Sequence, residues 1–200
     1  HEPIYGKTYL PRKFKIALAV PPDNDVDVYA NDLAFVAIVE VGELTGYNVL
    51  VGGGMGMSHG DTNTYPNAGR VIGLCKPDQV VAVAEHVVTV QRDYGNRQER
   101  KQARLKYTID RYGLSWFREK VEERLGYQLQ DARPFHFLST ADRPGWQQDT
   151  NGLWHWCVHI MSGRIVDSSD RQYLSGLRAI AQQFDCGFIM TANQNLIISN

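Results

Sequence analysis

The segment from Pro77 to Tyr94 most narrows what this chain can fold into. Proline suits a helix's first turn, where its missing N–H has no partner to lose, and Gly95 suits the exit. Val80, Val81, Ala84, Val87, Val88 and Gln91 recur at helical spacing, so the helix has one apolar face. A stripe of that length needs a flat apolar surface to cover it, and the segments before it read as strands. The expected class is therefore α+β, with helices laid on a sheet.

The first strand is expected from about Lys13 to Val20, because Pro11 fits a strand's start and Ile16-Ala17-Leu18-Ala19-Val20 is an unbroken apolar run. On a strand beginning near Arg12, Lys13 and Lys15 share a face, about 7 Å apart. Their ammonium groups repel each other, and an anion held between them relieves that repulsion. The alternative is a solvated strand start. Pro21 to Asp25 is a turn-rich acidic loop, and Asp27 to Leu33 is expected as a short helix. Phe35 to Val41 and Tyr47 to Val51 read as a hairpin connected through Gly42 to Gly46. Two further helices are expected, Arg97 to Tyr112 and Leu114 to Leu125, each ended by glycine. At Arg143-Pro144-Gly145 the pattern resets to strand (154–161), helix (172–184), strand (187–192) and strand (196–199). That is half of a ferredoxin-like α/β sandwich, and its small sheet leaves apolar surface that wants a partner half.

With 200 residues and a formal charge of −1, no global field points to nucleic acid or to a membrane surface. No apolar run reaches the length of a membrane span. Cys75, Cys157 and Cys186 are distant and odd in number, as expected in a reducing cytoplasm rather than in a disulfide framework. The chain starts at His1-Glu2-Pro3 and stops just after a strand, the pattern expected of a piece of a longer protein.

Several motifs bear on chemistry. Gly52-Gly53-Gly54-Met55-Gly56 fits neither a dinucleotide fingerprint nor a phosphate loop, which leaves a glycine segment where backbone approaches something closely. Arg97, Arg100, Lys101 and Arg104 recur at helical spacing and read as one basic stripe, with Arg97 near a helix start that favours anions. His155, Cys157 and His159 share a strand face. Three ligands in one flat row rarely surround a tetrahedral ion, so a buried polar seam is the favoured reading over metal. Thr191-Ala192-Asn193-Gln194-Asn195 places three amides in a tight turn, where they cap backbone or bind a polar ligand.

Taken together, His1-Glu2-Pro3-Ile4-Tyr5-Gly6, Leu10-Pro11-Arg12-Lys13-Phe14-Lys15, Asn31-Asp32, Val51-Gly52-Gly53-Gly54, Gln91 to Arg97, Arg100-Lys101, Lys106-Tyr107-Thr108 and Thr191 to Ile198 resemble the siroheme nitrite and sulfite reductase family. The likeness is nearly chain-long and is strongest to its assimilatory NADPH-dependent hemoproteins. It implies an α+β fold: a central mixed-sheet domain over residues 1–144, then one half of a ferredoxin-like α/β sandwich over residues 145–200. It implies six-electron reduction of sulfite to sulfide on siroheme coupled to a four-iron four-sulfur cluster. A flavoprotein subunit would deliver electrons from NADPH.

By the same resemblance, Lys13 and Lys15 bind and protonate sulfite. Arg12, Gly53, Gly54, Arg97, Arg100, Arg104, Asn193, Gln194 and Asn195 are the expected cofactor-binding residues. At position 104 relatives can carry lysine, so the cation here is a planar fork instead of a point charge. The family's cluster cysteines lie in two close pairs beyond Asn200, and the N-terminal half of the ferredoxin-like pair is also absent. The isolated chain is therefore expected to hold no cofactor and to be inactive, with its partners the missing N- and C-terminal domains. Two other readings are a piece of a ferredoxin-dependent nitrite or sulfite reductase, and a non-enzymatic anion- or RNA-binding module.

Overall fold

The computed structural model describes residues 2–199. His1, which opens the first family motif, and Asn200, which closes the second expected domain, lie outside the described residues. The chain divides into two compact units that meet at Leu138–Ser139.

In the first unit, β1 (Ile16–Ala19), β2 (Leu33–Glu40), β3 (Glu43–Val51) and β4 (Arg70–Cys75) form one sheet in that order. β1 runs parallel to β2, and the other neighbours are antiparallel, so the sheet is mixed. Period-two alternation in β2 and β3 sends side chains to both faces. Leu33, Phe35, Val49 and Val51 join one core, and Ala34, Val36 and Leu50 join another. The first core is covered by α1 (Val80–Tyr94), α2 (Leu105–Tyr112) and α3 (Leu114–Leu125), which contribute Val83, Val87, Val90, Leu105, Ile109, Phe117 and Val121. The second is covered by Val28, Phe135 and Phe137.

The structure departs from expectation at several points. The first strand begins only at Ile16, so Lys13 and Lys15 precede it. The expected short helix is a 3-10 turn at Val28–Ala30, because Leu33 already pairs with Ile16. The hairpin turns at Val41-Gly42, and the expected connection through Gly46 is strand instead. β4 was not foreseen, because Gly73 interrupts its apolar run; a Cβ there would stand 2.7 Å from Leu129 Cβ. α1 buries Val83, Val87 and Val90 most fully, while Val81 is 78 % exposed. The expected helix from Arg97 to Tyr112 is broken: Arg100–Gln102 is a 3-10 turn, and Arg104 has extended backbone before α2.

In the second unit, β5 (Gly145–Gln148), β6 (Trp154–Val158), β7 (Gly187–Met190) and β8 (Leu196–Ser199) form an antiparallel sheet ordered β5-β6-β8-β7. β5 was also unforeseen, since Gly-Trp-Gln-Gln carries no apolar alternation. Val158, Ile160 and Leu196 make a small core. α4 (Tyr173–Gln183) buries no residue fully. Trp146, Phe184, Ile189 and Met190 stay more than half exposed, the surface expected of half a sandwich.

Phe117 is wholly buried among α1, α3 and the sheet. Phe117→Ala should lower the unfolding free energy of the first unit by about 3–5 kcal/mol, read as a drop in its urea midpoint.

Candidate functional site

Lys13 and Lys15 are both exposed, and between them Phe14 packs on the main core. The period-two alternation expected of a strand therefore persists here, although no strand is assigned. Both backbone groups of Lys15 are fixed: its N–H donates to Asp32 Oδ2 at 3.0 Å, and its carbonyl accepts from Leu33 N at 3.1 Å.

An open cleft of about 570 Å³ lies in the first unit. It is lined by Arg12, Lys13, Gly56, Met57, Ser58, Thr64, Glu99, Arg100, Lys101, Arg104, Lys106 and Tyr107. Six of these side chains are basic and only Glu99 is acidic, so the lining favours an anion. Lys13 is part of the lining; Lys15 is not.

The basic residues are committed very differently. Asp32 is wholly buried, and Arg104 grips it as a fork, with Nε to Oδ1 at 3.2 Å and Nη2 to Oδ2 at 3.0 Å. Arg104 Nη2 also donates to Gly53 O at 3.2 Å. Lys101 pairs with Asp61 at 2.9 Å. Arg97 donates to Tyr9 O at 2.6 Å, outside the cleft lining, so the basic stripe read from the sequence does not exist as one helix face. Arg12, Lys13 and Arg100 have no salt bridge among the described residues.

The glycines serve the chain's own packing. A Cβ at Gly53 would stand 2.3 Å from Tyr29 O and 2.5 Å from Asn31 O. One at Gly54 would stand 2.6 Å from Arg104 Nη1. The close approach expected at this segment is thus made by neighbouring backbone and by Arg104.

Lys106 is the buried cation of the cleft. It is fully buried, and its Nζ donates to Gly54 O at 3.1 Å, Gly56 O at 2.9 Å and Tyr65 O. The ring of Tyr107 lies 4.9 Å from it and that of Tyr65 5.6 Å. Burial pushes the ammonium below its ordinary value, and the Arg104 charge adds to that. Tyr65 donates to Asp110 at 2.5 Å, which, with burial, raises its phenol to about 12. The sequence motifs alone assign no role to Lys106 or Asp32. The available signals are a lysine beside the apolar Leu105, Tyr107 and Ile109, and a lone aspartate just before the apolar run that opens at Leu33.

In the second unit the amide turn caps a carboxylate. Thr191 Oγ1, Asn193 Nδ2 and Asn195 Nδ2 all donate to Asp142, at 2.5, 2.9 and 2.8 Å. Asn195 Oδ1 also accepts from Ile160 N at 2.9 Å. Gln194 is exposed at the tip with φ of 66°. Of the histidine–cysteine row, His155 lies 3.3 Å from Asp149, Cys157 is buried and His159 is past the end of β6. Among the described residues no group of three His, Cys, Asp or Glu side chains is placed to hold a metal. Burial raises the Cys75 thiol to about 11, which opposes the thiolate a cluster needs.

Comparison with known proteins gives one answer for both units. A family model described as the nitrite and sulphite reductase 4Fe-4S domain matches residues 1–129. Another, the nitrite/sulfite reductase ferredoxin-like half domain, matches residues 146–200. The sulfite reductase (NADPH) hemoprotein beta-component of Geobacillus kaustophilus is 59 % identical over 199 residues, and that of Bacillus subtilis 54 %. Each covers 100 % of this chain, but the chain spans only 35 % of their length. The solved structure of the Mycobacterium tuberculosis NirA protein matches with a TM-score of 0.78 at 30 % identity, over 94 % of this chain and 33 % of that one.

Two predictions follow from this geometry. Lys106→Met strips three carbonyl oxygens of their donor and should cost the first unit about 1–3 kcal/mol, measured by urea unfolding. Burial works to raise the Asp142 carboxyl, but the bonds from Thr191, Asn193 and Asn195 outweigh it and hold it below 3.8. Its stabilising contribution is therefore fully present above pH 3.8 and is lost as pH falls through the lowered folded value. Asp142→Asn should destabilise the second unit by about 1 kcal/mol at neutral pH, and the gap to the unsubstituted chain should close in strong acid.

Proposed function

The chain belongs to the nitrite and sulphite reductase family, and on that premise we propose that it forms the centre of an enzyme reducing sulfite to sulfide by six electrons. The observation that carries this reading is the basic cleft in the first unit, with Lys13 in its wall. The relatives' printed name supports sulfite as substrate and NADPH as the source of electrons. As a component of an NADPH enzyme in a chain with unpaired cysteines, the whole protein would work in the cytoplasm with a flavoprotein partner.

The donor chemistry fits the periphery of siroheme, whose carboxylates call for cations. Arg12 and Arg100 are the guanidinium groups of the cleft without a carboxylate partner among the described residues, so they are the ones that would hold it. Siroheme, when bound, would supply the electron path to sulfite. The cysteines do not fit a four-iron four-sulfur cluster: Cys75 lies in the core of the first unit, and Cys157 and Cys186 belong to the second. Cluster ligands are assigned to parts of the full-length protein outside this chain.

Lys13 would place an ammonium against the anion, offsetting its charge and giving a proton from Nζ to an oxygen departing as water. Lys15, exposed on the same side of Phe14 but outside the cleft lining, would serve as the second cation. Asn193 and Asn195 would act indirectly, since their amides hold Asp142, which leaves Gln194 as the exposed amide of that turn.

In the full-length protein carrying this chain, Lys13→Ala should lower kcat for sulfite about a hundredfold or more while the siroheme absorption is retained. Undiminished sulfite turnover would refute the assignment. A wild-type protein turning over nitrite in preference to sulfite would move it to the other branch of the family.

A further inference from the structure

The segment carrying Lys13 and the Arg104 side chain, both in the cleft wall, meet at one side chain that is not itself among the residues lining it, and the glycine segment is tied to the backbone of the same residue. Asp32 sits immediately before β2, with no exposed surface. Oδ1 accepts from Arg104 Nε. Oδ2 accepts from Arg104 Nη2 and from the Lys15 backbone N–H. The Asp32 carbonyl accepts from Gly52 N at 2.8 Å, where the glycine segment leaves β3. A buried carboxylate is costly unless paired and hydrogen-bonded, and this one is given both an ion partner and a backbone donor.

We propose that Asp32 is the positioning residue of the cleft: its buried carboxylate fixes where the Lys13–Lys15 segment and the Arg104 guanidinium stand, and it acts on the bound anion through them. The pairing also cancels the charge of Arg104, so Arg104 shapes the cleft wall and the net positive charge resides on its neighbours. No other side chain of the described residues accepts from both segments. Asparagine could not replace it, because its amide would turn one acceptor oxygen into a donor facing a guanidinium N–H.

The activity arm of the test rests on the sulfite reading; the exchange arm does not. Both use the full-length protein carrying this chain. Asp32→Ala removes both acceptors, so the Lys15 amide should exchange with deuterium about tenfold faster or more, while amides of Val87 and Val90 in α1 keep their rates. The same variant should lower kcat for sulfite about tenfold or more with siroheme content unchanged. Combining it with Arg104→Gln should cost no more than Asp32→Ala alone, since both break one unit. An unchanged Lys15 exchange rate, or losses that multiply in the double variant, overturns the proposal. If Asp32→Ala does not fold, Asp32→Asn keeps the shape, and a kcat equal to wild type then overturns it. A protein that reduces no sulfite sinks the substrate assignment, while the Lys15 amide still decides the positioning role.

Discussion

Burial of the β2–β3 hairpin on both faces governs everything else in the first unit. Leu33, Phe35, Val49 and Val51 are locked under helices, and Ala34, Val36 and Leu50 are locked on the reverse. A slip of one residue would exchange these two sets, so the register is strongly specified. That register places Ile16 beside Leu33 and Leu33 beside Val51. The segment before β1, the residue before β2 and the segment after β3 are thus delivered to the same end of the sheet. These are Lys13 to Lys15, Asp32 and Gly52 to Gly54. The site is an edge condition of a rigid sheet, built where three chain segments leave it together.

Much of this was legible in the sequence, and the misses have physical causes. The α1 segment was plain because five apolar residues at helical spacing leave few alternatives. The lysine segment reads from sequence as part of the first strand, whereas β1 begins only at Ile16. The segment's backbone groups are in fact taken by Asp32 and Leu33, a tertiary arrangement that local propensity does not encode. The basic stripe failed for a related reason. Helical spacing was present, but Arg104 adopts extended backbone while its side chain reaches buried Asp32, seventy-two residues away in sequence. Lys106 belongs to a motif of the resemblance, but its burial is not legible there, because a lysine beside apolar residues is usually a solvated position. Its three carbonyl partners come from segments far away in the chain.

The second unit shows what a half-built sandwich costs. Its sheet pairs all four strands, so backbone hydrogen bonding is satisfied in the interior of the ladder. Side-chain burial lags behind: α4 has no buried residue, every residue of β7 is exposed, and the core amounts to Val158, Ile160 and Leu196 with half-buried neighbours. An apolar helix face and sheet face left in water contribute little of the roughly 25 cal/mol per Å² that burial supplies. Local polar bonds therefore carry more of the order here, above all the Asp142 carboxylate that ties Thr191, Asn193 and Asn195 into one turn.

The cleft's charge is best understood by subtracting what the fold has already used. Arg104 is neutralised by Asp32, Lys101 faces Asp61, and Lys106 is held by carbonyls and two aromatic rings. What remains to act on a visitor is Arg12, Lys13 and Arg100, spread over the wall. Two guanidinium groups suit planar carboxylates, because a fork can bond both oxygens. An ammonium suits a small oxyanion, because it donates in three directions and can surrender a proton. On the proposed reading the same cleft would set two chemistries side by side, one for holding a large polycarboxylate and one for acting on a small anion. Lys13 would be the residue at which they adjoin, next in sequence to Arg12 and two residues before Lys15, whose backbone bonds hold the segment.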